Sequence, residues 1–339
     1  MKTLENTPIS VLDLSPIVAG STPTQALANT LDLAQHADHW GFNRYWLAEH
    51  HGMRGIASAA TSVVIGHVAG GTKRIRVGSG GIMLPNHAPL VIAEQFGTLE
   101  SLYPGRIDLG LGRAPGTDQA TMRALRRDSG ADGDQFPQML EELRAYFRPD
   151  LHGGSNGIHA VPGEGLDVPI WLLGSSGFSA QLAGYLGLPF AFAGQFAPRN
   201  MKAAFDLYRH TFRPSRVLEQ PYAMAGINVI AADTDEHAQF LATSAQRRFV
   251  GMIRGNPGPL EPPVESMDGY WEPHERAAVQ AQLGASIIGS PVTVRAKLRE
   301  FLQEFGVDEI MANAAVYDHA ERLHSYEIVS QVCELPRSL

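Results

Sequence analysis

The chain has 339 residues, 44% of them hydrophobic, and a net charge of −8. That length holds one large α/β barrel or two ordinary domains, and the acidic balance excludes nucleic acid as a main partner, since phosphate binding needs a basic face. A single cysteine, Cys333, excludes an internal disulfide and a cysteine-based zinc site.

The expected elements alternate along the chain. ISVLDLSP (9–16) is a buried strand, and residues 24–40 carry apolar side chains at helical spacing, with Gly41 as the C-cap. NRYWLAEH is the second strand, and residues 58–70 are helical. RIRVGSGGIML (74–84) is strand-like with a glycine break. Residues 89–103 form a helix opened by Pro89, and RIDLGLG (106–112) is a strand. Helices at 117–128 and 135–147 precede a strand at 168–174. A helix from Ser179, a strand at 189–194 and a helix at 198–212 follow. A strand at 223–232 leads to a helix at 235–250. Residues 255–274 hold five prolines and little periodicity. A helix (291–304), a strand (308–314) and a final helix (318–333) end the pattern.

About eight strands separated by helices predict a parallel sheet. The expected fold is a single α/β domain over 1–339, a (β/α)8 TIM barrel with insertions; the rival is a doubly wound open sheet. The segment at about 251–288 reads as an insertion and a possible active-site lid, because a long proline- and glycine-rich loop in a compact domain is usually a lid or disordered. Residues 1–8 lack an apolar signal region. No apolar run reaches the roughly 20 residues that span a bilayer. The expectation is a cytoplasmic protein without membrane contact.

Four stretches carry candidate chemistry. DLGLGRAPGTD (Asp108 to Asp118) does not keep the dinucleotide-binding spacing, and Pro115 sits where a phosphate-binding helix needs N–H groups. It reads instead as a turn that presents Arg113, either to an anion or to a neighbouring loop. In WLLGSSGFSAQ, Ser175, Ser176 and Ser179 precede or open a helix. Hydroxyls and N–H groups there make an anion site, although capping explains one serine. In VGSGGIMLPNH, Gly80 and Gly81 mark a bulge, a packing bend or a bare backbone against which a flat ligand lies. In WLAEHHGM, Glu49, His50 and His51 follow the second strand. Alternation along a continuing strand turns the two imidazoles to opposite faces, so no metal is expected. One histidine reads as a proton-transfer group at the cleft, the other as a supporting residue.

These blocks, with RVGSGGIMLPNHAPLVIAEQFGTLESLYPGRIDLGLGRAPG and PIWLLGSS, resemble the bacterial luciferase-like flavin monooxygenases over nearly the whole chain. They are most similar to the small YhbW-like subgroup. The resemblance implies a (β/α)8 barrel that uses FMN, delivered as FMNH2 by a separate NAD(P)H:flavin reductase, and molecular oxygen. A flavin peroxide then oxygenates a small organic substrate. It implies that Arg113 with Ser175, Ser176 and Ser179 holds the flavin phosphate. Gly80 and Gly81, at a non-proline cis peptide, would sit against the ring with Met83 nearby. His50 would be the catalytic acid/base, oriented by Glu49 or His51. Leu12, Leu14 and Met83 would line the substrate pocket, and the protein would be a homodimer. Gly112 stands where luciferase has a reactive cysteine, so light emission and a long-chain aldehyde are not implied, and Ser175 stands where it has a glutamate, which implies a changed phosphate contact. Two other readings keep the fold: hydride transfer with deazaflavin F420, and a flavin-binding protein without turnover.

Overall fold

The structure is a computed structural model that describes residues 2–114, 119–125 and 133–337. Pro115, Gly116 and Asp118 of the glycine-rich turn, and both ends of the expected 117–128 helix, lie outside the described residues. The strands are β1 (Ile9–Asp13), β2 (Arg44–Leu47), β3 (Arg76–Ser79), β4 (Ile82–Met83), β5 (Ile107–Gly112), β6 (Ile170–Gly174), β7 (Phe190–Phe192), β8 (Ala223–Ala231), β9 (Ile287–Gly289) and β10 (Glu309–Asn313). Eight of them close a parallel barrel in the order β1-β2-β3-β5-β6-β7-β8-β10, with β10 returning to β1. Ile9 pairs with Ile310, and Glu309 with Met224, so the closure is in register on both sides of β10.

The surrounding helices are α1 (Pro23–Trp40), α2 (Thr61–Gly71), α3 (Pro89–Leu102), α4 (Gln119–Leu125), α5 (Phe136–Phe147), α6 (Gly177–Leu186), α7 (Met201–Thr211), α8 (Asp235–Ile253), α9 (Pro273–Leu283), α10 (Pro291–Phe305) and α11 (His319–Val332). Among the described residues, no helix is long and apolar enough to cross a membrane. α1 ends where expected: Gly41 takes φ 85°, a left-handed turn that suits a residue without a side chain.

Because both faces of a parallel barrel are covered, its strands are buried along their length, as β1 and β5 are. Side-chain alternation divides the two faces. Leu12, Trp46, Trp171, Ala191, Met224 and Met311 form an apolar cluster of their own, apart from the large core under the helices. Its two indoles meet edge to face at 5.2 Å. A polar layer sits one residue pair earlier on the strands. There Arg44 bridges Asp108 at 2.7 Å and Glu309 at 3.1 Å. On the other face of β1, Asp13 is fully buried against Arg322 of α11 at 2.7 Å, and Tyr45 donates to it at 2.6 Å.

Three expectations need correction. The second strand stops at Leu47 rather than His50, so the histidines lie on a loop. The 74–84 strand divides into β3 and β4 at a cis peptide between Gly80 and Gly81. The 251–288 segment is not a loop throughout. It contains α9, opened by Pro273 and by a reciprocal cap between Glu272 and Glu275, and β9, which pairs with β8. The intervening loop is pinned. Leu260 N–H donates to Ile17 O at 3.0 Å, Val264 N–H to Thr243 Oγ1 at 2.8 Å, and Arg254 bridges Glu275 at 2.6 Å. Val250, Met267 and Val279 form a small core beneath it.

Candidate active site

At the C-terminal ends of the strands, where barrels carry their sites, a cavity of about 270 Å³ opens. Its walls include Leu12, Leu14, His50, Gly80, Gly81, Met83, Arg113, Ser175, Ser176 and Ser179. Residues from five strand ends therefore converge on one space. Glu49 and His51 stand behind His50 and do not line it.

Glycine backbone borders the cavity at Gly80, Gly81 and Gly112. A Cβ on Gly81 would lie 2.6 Å from Gly110 O, and one on Gly112 would lie 2.7 Å from Met83 Sδ. At both positions the missing side chain is what allows the close approach. The Gly112 contact also shows what fills the place where the resemblance puts a cysteine: the Met83 thioether.

One side of the cavity gathers the start of α6, three serine hydroxyls and the Arg113 guanidinium. Ser176 occupies the N-cap of α6 in extended geometry, yet its side chain makes no capping hydrogen bond. The hydroxyl is left for another partner beside N–H groups that a helix start leaves open. The alternative of ordinary side-chain capping by Ser176 is not what the geometry shows. Ser179 is buried in the first turn of α6. Arg113 lies with its guanidinium 4.4 Å from the Phe178 ring centre, which holds the charge over the same helix start. Phe178 was not singled out from the sequence, although it sits inside the serine stretch. A lone phenylalanine between two serines gives no signal until the arginine is placed on it.

His50 faces the cavity with its Nδ1 buried and without a hydrogen-bond partner. Burial, with the nearby positive charge of Arg248, pushes its imidazole from the ordinary 6.5 to about 4, so it is neutral at physiological pH. The expected orientation of His50 by Glu49 or His51 is not present. Glu49 instead lies 2.8 Å from His51 Nε2 and 2.9 Å from His87 Nε2, and it accepts from Met83 N–H at 3.0 Å. Burial alone would push Glu49 up. The bonds from His87, His51 and Met83 outweigh it and hold the carboxyl below its ordinary value. Glu49 thus fastens the loop after β2 to the wall that carries Met83. His87 was missed as a partner because it lies in a different loop, 38 residues away.

Glu49, His51 and His87 also bring their donor atoms within 4.8 Å of one another, a set that could hold a metal ion. The alternation argument against a metal does not apply to them, since the strand has already ended. Hydrogen bonds within the trio account for the arrangement without an ion.

A second cavity, of about 520 Å³, adjoins the first. Leu14, His50, Gln195 and Phe196 are walls of both. Trp271, Arg276 and Val279 from the 254–283 region close its outer side.

A sequence model of the luciferase-like monooxygenases matches residues 7–309. The chain belongs to the luciferase-like monooxygenase family. It is 60% identical over 328 residues to the uncharacterised protein YvbT of Bacillus subtilis, covering 97% of each chain. It is 54% identical over 325 residues to a luciferase-like monooxygenase of Escherichia coli K12, covering 96% of each. Among solved structures it is similar to apo-MsnO8, with a TM-score of 0.87 and 33% identity over 98% of this chain and 100% of that one. In this chain the strand ends of the barrel bring Gly80, Gly81, Gly112, Arg113 and the three serines to one cavity.

Proposed function

We propose that the protein is a two-component monooxygenase that takes reduced FMN and molecular oxygen and oxygenates a small organic substrate. The single observation that carries this is the convergence in one cavity of an arginine with three serines, glycine backbone and an imidazole with an unpartnered nitrogen. Reduced FMN, when bound, supplies the electrons that activate oxygen for transfer to the substrate.

Each residue has a role in that reading. Arg113, Ser175, Ser176 and Ser179 hold the phosphate with charge-assisted bonds. Gly80 and Gly81 let a flat ring lie against the backbone, with Met83 beside it. His50, neutral and unpartnered at Nδ1, takes up or returns a proton during oxygen transfer. Glu49, His51 and His87 position the loop that carries it. The pinned segment with Trp271 shields the site from water, which matters because reduced flavin and oxygen otherwise yield hydrogen peroxide. A separate NAD(P)H:flavin reductase is the transient partner, and the enzyme works as a cytoplasmic homodimer.

The test is an anaerobic titration of the apoprotein with photoreduced FMN, read by tryptophan fluorescence. Trp46 lines the cavity and Trp171 packs on it, so ligand entry is reported directly. Saturable quenching by reduced FMN, tighter than by oxidised FMN, is the expected result. Quenching by F420 alone would replace oxygen chemistry with hydride transfer. Tight binding of oxidised FMN without oxygen consumption would make the protein a flavin carrier.

A further inference from the structure

The charged side chains that line the second cavity are all cations. Arg248, Arg276 and Lys297 line it, and no aspartate or glutamate does. This is a cationic chamber in a chain of net charge −8. Its remaining walls combine apolar side chains, such as Phe249, Met252, Trp271 and Leu283, with the amides of Gln195, Asn228 and Gln246.

Arg248 is the unusual member. The other deep arginines are accounted for. Arg44 meets Asp108 and Glu309, and Arg322 meets Asp13. Its neighbour Arg247 leaves a buried Nε without a partner, yet donates through Nη1 to Pro262 O at 2.6 Å and lies 3.8 Å from Glu261, and Arg106, which lacks an acid, donates to the carbonyls of Ala69, Thr72 and Ile75. Among the described residues no carboxylate or carbonyl is set against the guanidinium of Arg248, which faces the chamber. Arg248 is half-buried on the chamber wall with no acid beside it, and a ligand that brings a carboxylate supplies the missing counter-charge. The planar fork fits a carboxylate in two parallel bonds. Gln195, whose Oε1 is also buried and unpartnered, stands at the passage to the first cavity.

We propose that this chamber selects an organic carboxylate. Arg248 holds the charged end, the wall of Phe249, Met252 and Trp271 covers an apolar body, and the opposite end reaches past His50 towards the first cavity. The last clause rests on the reading of the first cavity as the flavin site; the anion selectivity does not.

The probe pair is 2-naphthoate and its neutral isostere 2-naphthamide. Both are titrated calorimetrically into the full-length protein, with and without saturating FMN, alongside Arg248→Met, Arg248→Lys and Arg113→Met. The expected result is a preference for the acid of about 10- to 100-fold, the scale of a charge-assisted pair. Arg248→Met should abolish it and Arg248→Lys keep part of it, with FMN affinity unchanged in both. Arg113→Met should do the reverse. No acid preference in the wild type, or one that survives Arg248→Met, overturns the proposal. So does loss of FMN affinity in Arg248→Met, since the guanidinium would then belong to the cofactor's phosphate. If the methionine variant does not melt cooperatively, the lysine variant decides by whether its preference falls. Failure of FMN to bind the wild type, with an Arg248-dependent acid preference intact, would sink the flavin reading and leave the carboxylate site standing.

Discussion

At the scale of single residues, His50 is the group whose environment is most informative. Replacing it with alanine should leave FMN affinity nearly intact and lower turnover about 100- to 10,000-fold, the usual range for a lost proton-transfer group. Equal loss of binding would remove it from the chemistry, and the same titration reads both. Its titration also has a sign. The native imidazole titrates near 4 and the unfolded one near 6.5, so between those values the unfolded chain binds more protons. Stability from this group is fully present above 6.5 and is lost as pH falls towards 4. Urea unfolding across that window should be less pH-dependent in His50→Gln than in the wild type. Glu49 acts in the same direction, because its carboxyl is held below its ordinary value and must be protonated as acid unfolds the protein. Sequence reasoning found Glu49, His50 and His51 as a group but could not divide their duties. Alternation rules apply within a strand, and the chain leaves the strand two residues before Glu49. His87 and Arg248 were out of reach for a related reason: each matters through a partner, or the lack of one, in a distant part of the fold.

At the scale of elements, the eight barrel strands were legible because buried parallel strands write themselves as short apolar runs between amphipathic helices. Their ends were not, since hydrogen bonding stops before hydrophobicity does. The glycine break was legible as a break and became a boundary between β3 and β4. Its tolerance is small. Gly81→Ala would press a methyl group onto the Gly110 carbonyl of β5, backbone against backbone. The expected cost is about 1–3 kcal/mol from overpacking, read by denaturant midpoint, together with weaker flavin binding. An unchanged midpoint would mean that β5 yields easily there. The α9 helix was hidden by the prolines before it, although Pro273 with the Glu272–Glu275 pair is a start signal. Composition over a window outweighed a local cap, and the cap was right.

On the scale of the whole molecule, the barrel is fastened across its closure by buried charge. Asp13 on β1 and Arg322 on α11 join the first strand to the last helix, 309 residues apart in sequence. Burial pushes Asp13 up, and Arg322, Tyr45 and Thr30 together pull it below its ordinary value. Arg322→Ala would leave a buried carboxylate without a counter-charge. Stability should fall by about 3–5 kcal/mol, with the loss shrinking at acid pH as Asp13 becomes protonated. A loss that does not depend on pH would assign the effect to packing instead.

Leu14, His50, Gln195 and Phe196 are partitions held in common by two chambers. A ligand that shifts any of them for its own fit alters the fit on the other side. The free energy of that coupling is the same from either direction. Whatever factor a carboxylate adds to or removes from the affinity for the flavin, the flavin must return to the carboxylate. Two calorimetric titrations, each run with the other ligand present, close that thermodynamic cycle, and the departure from independence is the coupling free energy carried between the two chambers.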